Sequence, residues 1–130
     1  MTEIKIGDSV PLLEKLVTAD LIMAYGAATW DWHRMHYDAD FAREQGLPGV
    51  VLDGQAMGAI FARALTDGFG PRVFVTKLSF RLRAMVEPGD VLRCEGEVLS
   101  VEDSVIGLTQ RITAGGRIAA EATSEIRLGN

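Results

Sequence analysis

Gly54-Gln55-Ala56-Met57-Gly58-Ala59-Ile60-Phe61-Ala62-Arg63-Ala64-Leu65-Thr66 reads as one helix, and its composition bears most directly on the fold. Ala56, Gly58, Ala59, Ala62 and Ala64 leave it little bulk. A helix so slim can lie close to a sheet that wraps it. The same stretch also fits an ordinary buried amphipathic helix, and periodicity alone does not separate the two.

The residues that follow favour the wrapped helix. Residues 72–83 alternate long enough for one extended strand, and Glu87-Pro88-Gly89-Asp90 reads as a turn. Strands are expected at 91–101 and 104–113, with a tight turn at Glu102-Asp103. Gly115-Gly116 reads as a two-residue hairpin turn into a last strand, 117–128. In that strand Ile118, Ala120, Ala122, Ser124, Ile126 and Leu128 share one face, and Arg117, Glu121, Thr123, Glu125 and Arg127 share the other. Such alternation marks a half-buried antiparallel strand. Long strands beside one apolar helix imply an α+β domain with a curved antiparallel sheet around the helix.

The first half reads mostly as helix and loop. A short strand is expected at 3–6, ended by Gly7-Asp8. Thr18 is the expected N-cap of a helix to about Ala28, with Leu21, Ile22, Tyr25 and Ala28 on one face. Asp38 is placed to cap a short helix over 39–45, stopped by Gly46 and Pro48.

Composition sets outer bounds. A chain of 130 residues is most simply one domain, 1–130, with no linker, repeat or low-complexity tract. Apolar residues at 48% and charged residues at 24% are ordinary for a globular protein. A net charge of -5 gives no reason to expect a nucleic-acid or anionic membrane partner. Cys94 has no intrachain partner, so a reducing cytoplasm is the expected setting. The opening Met1-Thr2-Glu3-Ile4-Lys5 shows neither the basic nor the apolar region of a secretory signal. No apolar run is long enough to cross a bilayer.

Chemistry concentrates in Asp31-Trp32-His33-Arg34-Met35-His36-Tyr37-Asp38, which holds both histidines of the chain. Asp31 and His36 can together hold and deprotonate one water. Asp31 also fits a plain turn carboxylate, and His36 a hydrogen-bonded core histidine. His33 is open among three readings: orienting Asp31, touching substrate, or facing solvent. The turn lacks the ligand spacings of zinc sites, so no metal is expected. Asp38 is read as a helix cap, and Asp53 as a cap for Gln55 or Ala56. Trp30 and Trp32 flank Asp31 and suit either a pocket wall or core.

Taken together, residues 25–58 resemble the MaoC-like family of hot-dog-fold acyl-CoA hydratases and dehydratases. The residues that carry the resemblance are Asp31, His36, Asp38, Ala42, Gly46 and Gly54, in family order. Phe80 and the turn Glu87-Pro88-Gly89-Asp90 extend it into the strand region. The chain departs from the family at His33 and Arg34, where asparagine and proline are usual, and at Asp53, where histidine is usual. The resemblance implies a single hot-dog domain and a hydro-lyase that adds water to, or removes it from, the alkene of an acyl-CoA thioester. It implies Asp31 and His36 as the catalytic pair and the Gly54 backbone N–H as the oxyanion donor. His33, Arg34, Trp32 and Asp53 are then candidate substrate contacts. No cofactor is implied, since CoA is part of the substrate. Hot-dog domains pair through their sheets, so a homodimer or a hetero-oligomer with a second hot-dog chain is expected. Two rival readings remain: a partner-dependent acyl-CoA-binding subunit, motivated by His33 and Asp53, and a hot-dog thioesterase.

Overall fold

A computed structural model describes residues 3–129. Met1, Thr2 and Asn130 lie outside the described residues, and with them the first positions of the leader reading and the ends of the 1–130 domain.

The helices form where local signals place them. Thr18 caps α1 (Ala19–Thr29), its hydroxyl accepting the Leu21 N–H at 3.0 Å. Leu21, Ile22 and Tyr25 turn inward as expected, but Ala28 is exposed and Gly26 takes the buried position. Asp38 caps α2 (Ala39–Glu44), accepting the Phe41 N–H at 3.0 Å. Gly46, at φ +86°, follows in the left-handed conformation that only glycine adopts without strain. α3 (Gln55–Phe69) begins after Gly54 as read, and runs past Thr66 to Gly70.

The short strand expected at 3–6 is absent. The first strand is β1 (Ser9–Leu16), and Gly7-Asp8 leads into it instead of ending it. Pro11 disguised it. Proline has no N–H for a ladder and is confined to edges and irregularities. Here the register against the neighbouring strand shifts between Val10 and Leu13, which interrupts the alternation.

The other strands lie within one residue of the expected ends: β2 (Val73–Leu82), β3 (Val91–Glu102), β4 (Val105–Ala114) and β5 (Arg117–Leu128). All pairings are antiparallel, in the order β1-β3-β4-β5-β2. Gly115 and Gly116, at φ +56° and +79°, close the β4–β5 hairpin as a turn with both central residues left-handed. One expectation fails inside β5. Ile118 is exposed and Ala119 is buried, because the register against β4 shifts between Ile112 and Thr113. An extra residue in one strand turns every side chain before it to the other face.

α3 lies across the sheet and touches all five strands, so this is a single hot-dog domain. Its small residues set the distance. A Cβ on Gly58 would stand 2.6 Å from the Phe80 ring, and one on Gly68 would stand 2.8 Å from the Pro11 ring. Phe61, Met57 and Leu65 fill the space between helix and sheet. Within this core, the buried Gln110 of β4 donates to the Phe61 carbonyl at 3.1 Å and accepts from the Ser124 hydroxyl at 3.2 Å. A side-chain amide thus ties the middle of α3 to two strands, and each group it uses would be costly to leave unpaired.

Gly58→Ala should cost about 1–3 kcal/mol by urea unfolding, because the added carbon drives α3 off Phe80. Burial pushes the Cys94 thiol up to about 12. Thiolate is the reactive form, so Cys94 should resist a thiol reagent at neutral pH in the folded protein and react once urea unfolds it.

Candidate active site

The site begins where α1 ends. Trp30 adopts the left-handed conformation at φ 59°, and the Asp31 N–H reaches back to the Gly26 carbonyl at 2.8 Å. This is a Schellman-type helix end, with tryptophan where glycine is usual. It turns the chain so that Asp31 leaves the helix axis. Gly26 is required for this, since a Cβ there would stand 2.9 Å from the Asp31 carbonyl oxygen. Nothing in the local sequence marked Trp30 for that conformation, which is uncommon for a bulky residue.

Asp31 is then oriented by its own turn. Its Oδ1 accepts the His33 N–H at 3.2 Å, and the His33 ring Nδ1 accepts the Met35 N–H at 3.2 Å. His33 thus opens the single 3-10 turn Arg34–His36. Of its three readings, the structure supports orientation of Asp31, through the backbone, while the ring is exposed. Arg34 is drawn elsewhere. Its guanidinium meets Asp38 at 2.9 Å and lies 4.4 Å from the centre of the Phe41 ring, so its charge is already matched. Trp32 packs edge-on against Trp30 at 5.4 Å, with 47% of its surface exposed.

His36 is the buried member, 8% exposed. Its Nδ1 lies 2.8 Å from the Val51 carbonyl oxygen. A carbonyl can only accept, so Nδ1 carries the hydrogen, and the neutral ring presents the Nε2 lone pair. That nitrogen faces Asp31 Oδ2 at 3.8 Å. The gap is too long for a direct hydrogen bond and suits one bridging water.

Val51 is held from both sides. Its N–H donates to the Met35 carbonyl at 3.2 Å, and the next N–H, of Leu52, donates to the Val86 carbonyl at 2.9 Å. Val86 belongs to the loop ahead of the Pro88-Gly89 turn, and Arg117 fastens that loop through the Met85 carbonyl at 2.9 Å and Asp90 at 2.8 Å. The Gly-Asp turn of the strand region therefore supports the carbonyl that fixes the His36 tautomer. Sequence reading missed Val51, since a backbone carbonyl has no residue-type signature.

Asp53 and Gly54 follow directly. Asp53 Oδ1 accepts the Gln55 N–H at 2.9 Å, the expected cap. Its carboxyl faces Asp31 and His36, and donor atoms of the three groups lie within 4.8 Å of one another. Asp31 sits below the ordinary carboxylate value, chiefly through a hydrogen bond with Asp53 and then through the His33 N–H. Asp53 is pushed up, first by burial and then by its contact with Asp31. Tyr25 of α1 is also pushed up, first by burial and then by both carboxylates. One oxygen of each carboxylate accepts a backbone N–H, and the remaining donor atoms face one another closely enough to exchange a proton. The Gly54 N–H makes no hydrogen bond among the described residues. It stands at the N-terminus of α3, where helix dipole and unpaired donors favour negative charge. A Cβ on Gly54 would overlap the Leu82 side chain.

A surface depression of about 880 Å³ lies elsewhere. It lies on the face of the sheet away from α3, among Arg81, Arg83, Glu95, Arg111 and Glu121, and contains neither Asp31 nor His36. Arg83 and Glu121 pair across strands there at 3.1 Å, as on a solvated face. Trp30, Trp32 and Tyr37 are large exposed residues close in sequence to Asp31 and His36, and the exposed Leu82 lies against Gly54. No helix among the described residues is long and apolar enough to cross a membrane.

Comparison with known proteins bears on the family and the fold. The chain is 29% identical over 89 residues to a mitochondrial 3-hydroxyacyl-[acyl-carrier-protein] dehydratase of Arabidopsis thaliana, matching 68% of this chain and 52% of that protein. The chain thus spans about half the length of that relative. It is 24% identical over 123 residues to the 3-oxo-4,17-pregnadiene-20-carboxyl-CoA hydratase beta subunit of Mycobacterium tuberculosis, covering 95% of this chain and 94% of that one. A chain in the crystal structure of the ChsH1-ChsH2 complex from Mycobacterium tuberculosis superposes with a TM-score of 0.91 at 24% identity, over 95% of this chain and 98% of that chain, and so shares the fold. The family model described as MaoC like domain matches residues 3–115, and the chain belongs to that family.

Proposed function

We propose that this chain is a 2-enoyl-CoA hydratase, or a 3-hydroxyacyl-CoA dehydratase in reverse. One observation carries the reading: the His36 Nδ1–H bond to Val51, which aims Nε2 at Asp31 Oδ2 across 3.8 Å. The hydratase and dehydratase names of the relatives support it.

In the hydration direction, a water held between Asp31 and His36 attacks the β-carbon and gives its proton to the pair. The alkene electrons move toward the thioester oxygen as an enolate, which the Gly54 N–H receives. The pair then returns a proton to the α-carbon, so that one water has been added. A preorganised donor of this kind is typically worth about 3 kcal/mol of transition-state stabilisation. No step calls for a metal or a redox cofactor. The MaoC-type spacing from Asp31 to His36 argues against the thioesterase reading.

A second reading rests on Asp53. An ionised carboxylate beside Gly54 opposes charge on the enolate oxygen, and that would suit a subunit completed by a partner. The free edge of β2 supports pairing with another hot-dog chain. Among the described residues β2 pairs only with β5, and Phe74 on it is 71% exposed. We propose a homodimer or a hetero-oligomer of hot-dog chains in a reducing cytoplasm.

Purified protein should hydrate at least one member of a 2-enoyl-CoA panel, read as loss of enoyl absorbance and gain of one water by mass. Asp31→Asn and His36→Ala should each lower kcat/KM by about 10²-fold or more, in line with general acid–base contributions, while circular dichroism stays unchanged. Full activity in both variants would remove the mechanism. Treatment with a chelator should leave the rate unaltered. Release of free thiol instead of hydrated product would revive the thioesterase. Activity that appears only on adding a second hot-dog chain would favour the subunit.

A further inference from the structure

Asp53 is the group that the proposed chemistry does not use and is poorly placed to ignore. It directly precedes Gly54, and its carboxyl comes within 4.8 Å of the donor atoms of Asp31 and His36. Each carboxyl spends Oδ1 on a backbone N–H, His33 for Asp31 and Gln55 for Asp53. That leaves the second oxygen of each free to meet the other. Two carboxylates facing one another repel strongly unless a cation or a proton lies between them.

The surroundings supply little positive charge. Among the described residues, no lysine or arginine forms an ion pair with Asp31 or Asp53; their only ion-pair contact is His36 with Asp31 at 3.8 Å. Arg34 is engaged by Asp38, Arg83 by Glu121 and Arg117 by Asp90. The groups around the two carboxyls are Tyr25 from α1, His33 and His36 from the turn, and the α3 N-terminus. From β2 the apolar Leu82 lies against Gly54. His36 has its Nδ1 committed to Val51 and is not hydrogen-bonded to either carboxyl.

We propose that Asp31 and Asp53 share one proton, so that Asp53 stands beside the Gly54 N–H as a neutral hydrogen-bond donor and not as a second anion. This makes Asp53 a positioning residue, and its mechanistic part rests on the hydratase reading above. The arrangement answers the objection that Asp53 raises. With the shared proton in place, Asp31 remains the anion that binds water. The oxyanion donor then has no full negative charge next to it. The burial of Asp53 and its contact with Asp31 act in the same direction, holding the proton on Asp53. Both effects deepen when a bound acyl chain excludes water. Loss of the shared proton at higher pH would put two anions in the site and weaken enolate stabilisation.

The test is a carbon-detected NMR titration of the aspartate carboxyls in the intact chain, with Asp53→Asn as the variant. Asparagine keeps the shape, the Gln55 cap and a neutral donor. The wild type should show two macroscopic steps at least about one pH unit apart, both belonging to the pair. Asp53→Asn should leave one step, still low. Its hydration rate, read relative to its own maximum, should persist to higher pH than the wild-type rate does. Two independent steps at ordinary carboxylate values would overturn the proposal. So would an Asp53→Asn profile that falls off with the wild type. If the coupled steps appear but no enoyl thioester is hydrated, the shared proton stands and the proposed function fails.

Discussion

The close approach of α3 to the sheet is the constraint on which the rest of the structure depends. Gly58 lets the helix come down on Phe80, and Gln110 ties the Phe61 carbonyl to β4 and β5. Because α3 is held in its middle, its N-terminus has a fixed place against Leu82. That fixes Gly54 and Asp53, and it gives the segment ahead of them one path between the turn of His36 and the loop of Val86. A looser helix would leave the backbone donors without a defined direction, and catalytic stabilisation by dipoles depends on that direction being preset.

The site itself is a meeting of three backbone devices. A Schellman-type end turns Asp31 out of α1, one 3-10 turn carries His36 inward, and an aspartate cap brings Asp53 to the head of α3. None of these elements has much stability alone, since short turns gain little from propensity. Their coherence comes from the hydrogen bonds of Val51 and Leu52 to Met35, His36 and Val86. One of these, from the Leu52 N–H to the Val86 carbonyl, joins the helical half to the strand half. The electrostatic character of the site follows from the same crowding. A carboxyl brought against another in a partly buried place is pushed up, while its more exposed neighbour is held down.

Much of the fold was legible because its signals are local. Thr18 and Asp38 cap the helices that their side chains suggest. Gly115-Gly116 turns as its residue types demand, and the long alternation of β2 to β5 leaves little freedom in strand placement. The misreadings occurred where one residue interrupts a period. Pro11 concealed β1 behind a register shift, and the bulge before Ala120 put Ile118 outside while Ala119 went in. Alternation is read by counting, and one extra residue changes the face of everything on its far side.

The sequence by itself determined the three helices, the antiparallel run of β2 to β5, the family resemblance and the presence of Asp31 and His36 on one short turn. These rest on residue type and near-neighbour spacing, which the chain carries wherever it goes. Only the tertiary structure decided which His36 nitrogen faces Asp31, since that follows from a carbonyl brought from Val51. It alone committed Arg34 to Asp38 and Phe41 and gave His33 its capping role. It alone set the carboxyl of Asp53 near Asp31, because the segment between α1 and α3 folds back and brings positions 31 and 53 together. Burial, hydrogen-bond direction and the company of charges are properties of the folded chain, and no letter at position 53 contains them.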